Sequence, residues 1–108
     1  MNGTKFLVSQ VDGVDAKQLR DLADQLKEKL GAAVIVLAST DQANVNLVAS
    51  VGKELTKQYH AGNIIKEIAG MVGGGGGGRP DFAQAGGKDP AKIDAALKRA
   101  EELIRQGK

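Results

Sequence analysis

Apolar and polar positions change period several times along this chain, and each change marks an element. Residues 5–11, KFLVSQV, are rich in strand formers and stop at Asp12-Gly13, a turn signal. Asp15 and Gln18 then have the spacing of a capping box, and Leu19, Leu22, Leu26 and Leu30 recur at steps of three and four until Gly31. This predicts an amphipathic helix with a glycine stop. The apolar run AVIVLA at 33–38 has the composition of a strand covered on both faces, so the strand, helix, strand order predicts a right-handed parallel crossover. Asp41-Gln42-Ala43 predicts a turn into an antiparallel strand over 45–51. From about His60 the period is helical again, with Ile64, Ile65, Ile68, Ala69 and Val72 on one side and Gly73 as terminator. A brief strand is predicted within Arg79–Gly87. Asp89 as N-cap and Pro90 at the first turn then open a last helix with the stripe Ile93, Ala96, Leu97, Ala100, Leu103 and Ile104. The expected fold class is α/β of the α+β kind, a mixed sheet with helices packed on it, forming one domain over residues 1–108.

Composition narrows the chemistry. At 108 residues, 42% hydrophobic and 26% charged, the chain suits one modest core and leaves little room for a deep catalytic cleft. It has no cysteine and one histidine, which excludes disulfides, thiolate zinc and cysteine nucleophiles, and also a histidine-rich metal site within one chain. No catalytic set, metal or cofactor is expected. No run reaches the roughly 20 apolar residues of a membrane span, and the opening Met1-Asn2-Gly3-Thr4-Lys5 lacks signal-peptide character, so the expectation is cytoplasmic, away from membranes; the sequon at Asn2 carries no meaning there. Fifteen basic residues oppose thirteen acidic ones. Lys88, Lys92, Lys98, Arg99, Arg105 and Lys108 lie near the end, which favours the C-terminal half for an anionic partner.

The least ordinary feature is the uninterrupted run Gly73, Gly74, Gly75, Gly76, Gly77 and Gly78. Such a run serves as a flexible linker, or it builds a backbone path that another chain or a phosphate can approach closely, with amides forming an anion-binding nest. Its position between a helix and Arg79-Pro80-Asp81 favours the second reading. It is not a dinucleotide fingerprint, which must follow a strand and open a helix, and it lacks the Lys and Ser or Thr of a P-loop. Arg79 can grip a phosphate bidentately or stack on a base, or else pair with Asp81. Gln84 can read a base edge or cap a bend. Phe82 suits core packing better than base stacking, and three aromatics in all are too few for a stacking platform. His60, without a nucleophile or carboxylate in its motif, fits a helix start, and Asn63 one turn on shares its face. Lys92 and Arg99 are candidate phosphate contacts on a helix whose charges otherwise form a solvated face.

Taken together, Tyr59-His60-Ala61-Gly62, Ile64-Ile65-Lys66-Glu67-Ile68-Ala69, the glycine run and Arg79-Pro80-Asp81-Phe82-Ala83-Gln84-Ala85-Gly86-Gly87 resemble the C-terminal domain of alanyl-tRNA synthetases, in the DHH-associated domain family. The resemblance covers nearly the whole chain. It implies a sandwich on a mixed sheet and a non-catalytic module that binds the tRNA elbow and helps aminoacylation and editing centres act on one tRNA. Its partners would be tRNA, alanine-specific in the full enzyme, and the other synthetase domains, with catalytic parts upstream of Met1. The signature surface it implies is His60, Gly73 to Gly78, Arg79, Pro80, Asp81, Gln84, Gly86 and Gly87; Phe82 departs from the pattern, where a smaller or more flexible apolar residue is expected. Two alternatives accompany it: the nucleotide- or phosphate-binding domain of a DHH-type phosphoesterase, for which no Asp-His-His segment is present, and a homodimerisation module.

Overall fold

The structure is a computed structural model and describes residues 5–41 and 44–106. The Asn2 sequon, the tip of the predicted turn at Gln42-Ala43, and Lys108 lie outside the described residues. Strand β1 (Lys5–Gln10) leads through Asp12-Gly13 into helix α1 (Ala16–Leu30), and β2 (Ala33–Asp41) returns parallel to β1, with Leu7 opposite Ile35. Asp15 closes the predicted capping box: its carboxylate accepts from the Gln18 amide at 2.8 Å, and the Gln18 side chain accepts from the Asp15 amide at 3.0 Å. At the other end Gly31 takes φ +71°, a left-handed conformation that favours glycine. β3 (Asn44–Val51) pairs antiparallel with β2, as the short connection requires.

Helix α2 (Ala61–Met71) starts at His60, whose Nδ1 accepts the Asn63 amide at 3.2 Å; the histidine is a helix cap. Gly73 at φ +71° ends this helical stretch. The chain then forms two further strands, β4 (Gly75–Gly78) and β5 (Phe82–Gly87), paired antiparallel with each other, and β5 also pairs with β3. The sheet order is β1-β2-β3-β5-β4, with β4 on the edge. The last helix departs from expectation at its start. Asp89 makes no capping side-chain bond; a 3-10 turn at Pro90–Lys92 precedes α3 (Ile93–Arg105). Proline fixes the entry angle without a carboxylate cap.

Strand alternation divides the core into two layers. Val34, Val36 and Ala38 of β2, with Val45, Leu47, Ala49 and Val51 of β3, face α2 and α3 and meet Ile64, Ile65, Ile68, Ile93, Ala96, Ala100 and Ile104. Ala33, Ile35, Leu37 and Val48 face the other way and meet only Leu19 and Ala23 of α1 among the fully buried residues, with Leu22, Leu26 and Phe82 half-buried around them. One layer is therefore covered by two helices and the other by one. That asymmetry leaves part of the sheet bare. Among the described residues no helix is long and apolar enough to cross a membrane.

Candidate nucleic-acid interface

The bare part of the sheet lies where the glycines are. α1 packs across β2 and β3, whereas β4 and β5 receive α2 on their opposite face. On the α1 side, β5 presents Phe82, Gln84 and Gly86 in alternation, and their cross-strand neighbours are Gly77 and Gly75 on β4 and Ser50, Val48 and Asn46 on β3. Gln84 thus rises from a strip of main chain in which Gly75, Gly77 and Gly86 carry no side chains.

The alternation also explains why the run must be glycine. A Cβ at Gly75 or Gly77 would meet nothing within 4 Å. A Cβ at Gly76 would sit 2.6 Å from the Gln84 carbonyl oxygen and 2.7 Å from Ala85 Cα, one at Gly74 would sit 2.6 Å from Gly87 Cα, and one at Gly78 would sit 2.6 Å from the Phe82 carbonyl oxygen. The even positions hold β4 tightly against β5, and the odd positions keep the outer face flat. Gly62 continues this close packing from α2, since a Cβ there would lie 2.7 Å from the Gly78 carbonyl oxygen. A linker makes no such register, so the linker reading is set aside. The nest reading gives way as well: Gly75–Gly78 pair with β5 as an extended edge strand rather than curling their amides around one point.

Arg79 follows directly on β4. Its Nε lies 3.6 Å from Asp81 Oδ1, and its side chain is 76% exposed, so the ion pair forms and still leaves the guanidinium open to a ligand. Its amide donates to the Phe82 carbonyl at 2.9 Å and its carbonyl accepts from the Gly62 amide at 3.2 Å, while the Pro80 carbonyl accepts from the Ala61 amide at 2.8 Å. These bonds tie the Arg79-Pro80 bend to the start of α2, which brings His60 and Asn63 to the same end of the sheet as Arg79. Lys92 and Arg99 are not part of this assembly; they belong to the α2–α3 layer. Arg99 binds Glu67 of α2 through Nε and Glu102 through Nη1 at 3.2 Å, and the two carboxylates hold its guanidinium pKa above the usual value, Glu67 first. Phe82 is half-buried against the α1 layer, the core role preferred from sequence.

Three shallow depressions run along β5 on the bare side. One, about 370 Å³, is lined by Asn44, Gly73, Gly74, Gly86 and Lys88. The next, of similar size, has Asn46, Val48, Gln84 and Gly86 with Ala16 of α1. The third, about 340 Å³ and strongly polar, is lined by Arg20, Asp24 and Lys27 of α1 with Arg79, Asp81 and Phe82. Sequence pattern does not single out Asn46, Arg20 or Lys27 as members of this face. Asn46 carried a signal: it is an amide in the middle of an apolar strand, held by its Nδ2 donating to Ser39 Oγ at 3.3 Å. Arg20 and Lys27 carried none, since exposed helix charges usually mean a solvated face. Among the described residues no group of three His, Asp or Glu side chains is placed to hold a metal ion.

Comparison with known proteins agrees with this arrangement. The DHHA1 domain model matches residues 3–106. The alanine–tRNA ligase of Exiguobacterium sibiricum is 59% identical over 98 residues, 90% of this chain but 11% of that protein, and alanine–tRNA ligase 1 of Lachnoclostridium phytofermentans is 53% identical over 105 residues, 96% of this chain and 12% of that protein. The chain thus spans about one ninth to one eighth of the length of these relatives. The crystal structure of the C-Ala domain from Aquifex aeolicus alanyl-tRNA synthetase superposes with a TM-score of 0.82 at 37% identity, covering 90% of this chain and 88% of that one. A DHH-domain member of the s1p family of ribosomal proteins shares the fold alone, with a TM-score of 0.61 at 18% identity over 88% of this chain and 22% of that one. By family model, sequence and structure, this chain belongs to the DHHA1 domain family, in the form found as the C-Ala domain of alanyl-tRNA synthetases.

Proposed function

We propose that this chain is the tRNA-binding module of an alanine–tRNA ligase, that it contacts the folded elbow of the tRNA through the bare face of β4 and β5, and that it has no catalytic centre of its own. The observation that carries the proposal is the flat glycine strip with Gln84 standing in it and the exposed Arg79 at its end. Flat main chain admits a large rigid surface, and an open guanidinium supplies phosphate contact without reading sequence. The rest of the ligase, with its aminoacylation and editing centres, would lie elsewhere in the parent protein, in the cytoplasm. Tethering to those parts raises the effective concentration of a weak module, which suits a formal charge of only +2. Gly73, Gly76 and Gly78 shape the strip and its ends, while Gly75 and Gly77 form its surface.

The test is a salt titration of binding to intact tRNA, to an RNA duplex of similar charge and to a mononucleotide. Preference for intact tRNA over the duplex, lost on Arg79→Ala with the fold unchanged, is the expected result. Equal binding to tRNA and duplex would contradict elbow recognition, and binding of the mononucleotide alone would point to the phosphoesterase relatives.

A further inference from the structure

The geometry points to helix α1 as a wall standing beside the β4–β5 floor: we propose that Arg20 and Lys27 take phosphates of an RNA strand lying along β5. This rests on the reading of the bare strip as an RNA face. Ala16, Arg20, Ala23 and Lys27 stand at steps of three and four, one row along the helix. Ala23 is buried, Lys27 half-buried and Arg20 exposed, so the row follows the line where α1 meets the open sheet. Ala16 touches the depression around Gln84 and Gly86; Arg20 and Lys27 touch the one around Phe82 and Arg79. The row therefore flanks most of β5. Small Ala16 keeps the upper end of the channel wide, and the long basic side chains stand at the lower end, opposite Arg79.

The dimensions fit a nucleic-acid strand. Two strands at about 4.8 Å spacing give a floor about 10 Å wide, and six residues of β5 give a length of about 20 Å. Arg20 and Lys27 are seven residues apart, about 10 Å along the helix axis, which is far enough for the two side chains to meet different phosphates of one strand. The charges fit as well. Among the described residues neither Arg20 nor Lys27 forms an ion pair, in contrast to Arg99 and Arg105, whose guanidinium groups are occupied by glutamates. Asp81 is engaged by Arg79. Asp24 is the remaining acid in the lining and would repel a phosphate placed between its neighbours.

The experiment compares Arg20→Ala/Lys27→Ala with a control of equal charge change on the other layer, Lys66→Ala/Lys98→Ala, in salt titrations with both tRNA and an RNA duplex. Loss of two phosphate contacts should reduce the slope of log K against log salt by about 1.4 to 1.8, with the control close to the parent chain. Asp24→Asn should tighten binding. A groove variant that behaves as the control, or an Asp24→Asn variant that binds no better than the parent, would overturn the proposal. If the parent chain binds tRNA and duplex equally, elbow recognition fails, but the slope difference between the two double variants still decides whether α1 contacts phosphate.

Discussion

The alternation of closed and open glycines makes a prediction that separates neighbouring residues of identical type. Alanine at Gly76 places its Cβ 2.6 Å from the Gln84 oxygen and 2.7 Å from Ala85 Cα, against the 3.5–4.0 Å at which non-bonded carbon atoms pack. The obstacles are main-chain atoms of a paired strand, so β4 must move away from β5 rather than a side chain rotating aside. Overpacking of this kind costs about 1–3 kcal/mol. Alanine at Gly77 meets nothing within 4 Å and needs no left-handed backbone, so it narrows the unfolded ensemble and stabilises by about 0.4–1 kcal/mol. The two variants should thus differ by about 1.5–4 kcal/mol. In a domain of this size each kcal/mol moves Tm by about 4–8 °C, so thermal unfolding followed by circular dichroism should resolve the pair easily. Equal Tm for Gly76→Ala and Gly77→Ala would refute the strand pairing, because a linker makes no distinction between adjacent glycines.

Other expectations follow from single contacts. Asp15→Ala removes the reciprocal cap of α1 and should cost about 0.5–2 kcal/mol in urea unfolding, while Gln18→Ala, which keeps the Asp15 acceptor, should cost less. Arg99→Ala breaks the link from α3 to Glu67 of α2 and should lower stability more at low salt than at high salt, with tRNA affinity unchanged, as read by unfolding and binding on the same sample. Asp12 accepts from Gln10 Nε2 at 2.9 Å and from Thr40 Oγ1 at 3.1 Å, and these bonds, Gln10 first, hold its carboxyl below the ordinary 3.8. Its folded pKa is depressed, so its contribution is present above 3.8 and fades as pH falls through the folded value. An NMR titration should find the Asp12 midpoint below 3.8, rising in Gln10→Ala.

Much of this fold is legible in the sequence because its strongest signals are local. Four leucines at helical steps behind a capping box, an apolar hexapeptide, and a six-residue stripe in the last helix each answer to a single element and its core face. The glycine strand is different in kind. Gly75–Gly78 carry no side chains to show a period of two, and glycine disfavours strands on its own; pairing with Phe82–Gly87 makes them one. Asp89 differs for a related reason: it precedes Pro90 at the start of a 3-10 turn without a side-chain cap, since the Asp-Pro pair suits both a capped helix and a 3-10 entry and only the path from β5 selects between them. The site divides along the same line. Arg79, Gln84 and the glycines announce themselves by type and neighbourhood, and His60 by its helix start. The positions of Arg20, Lys27 and Asn46 beside them depend on which face α1 leaves bare, a tertiary fact with no trace in local spacing.

Whether tRNA seats on the bare face of β4 and β5 is decided by titrating the isotopically labelled chain with intact tRNA and following backbone amide shifts. The changes are expected to concentrate at Gly75, Gly77, Arg79, Gln84 and Gly86, with Arg20 and Lys27 beside them. Changes confined to the outer faces of α2 and α3, around Lys66, Lys98 and Glu102, would contradict that seating.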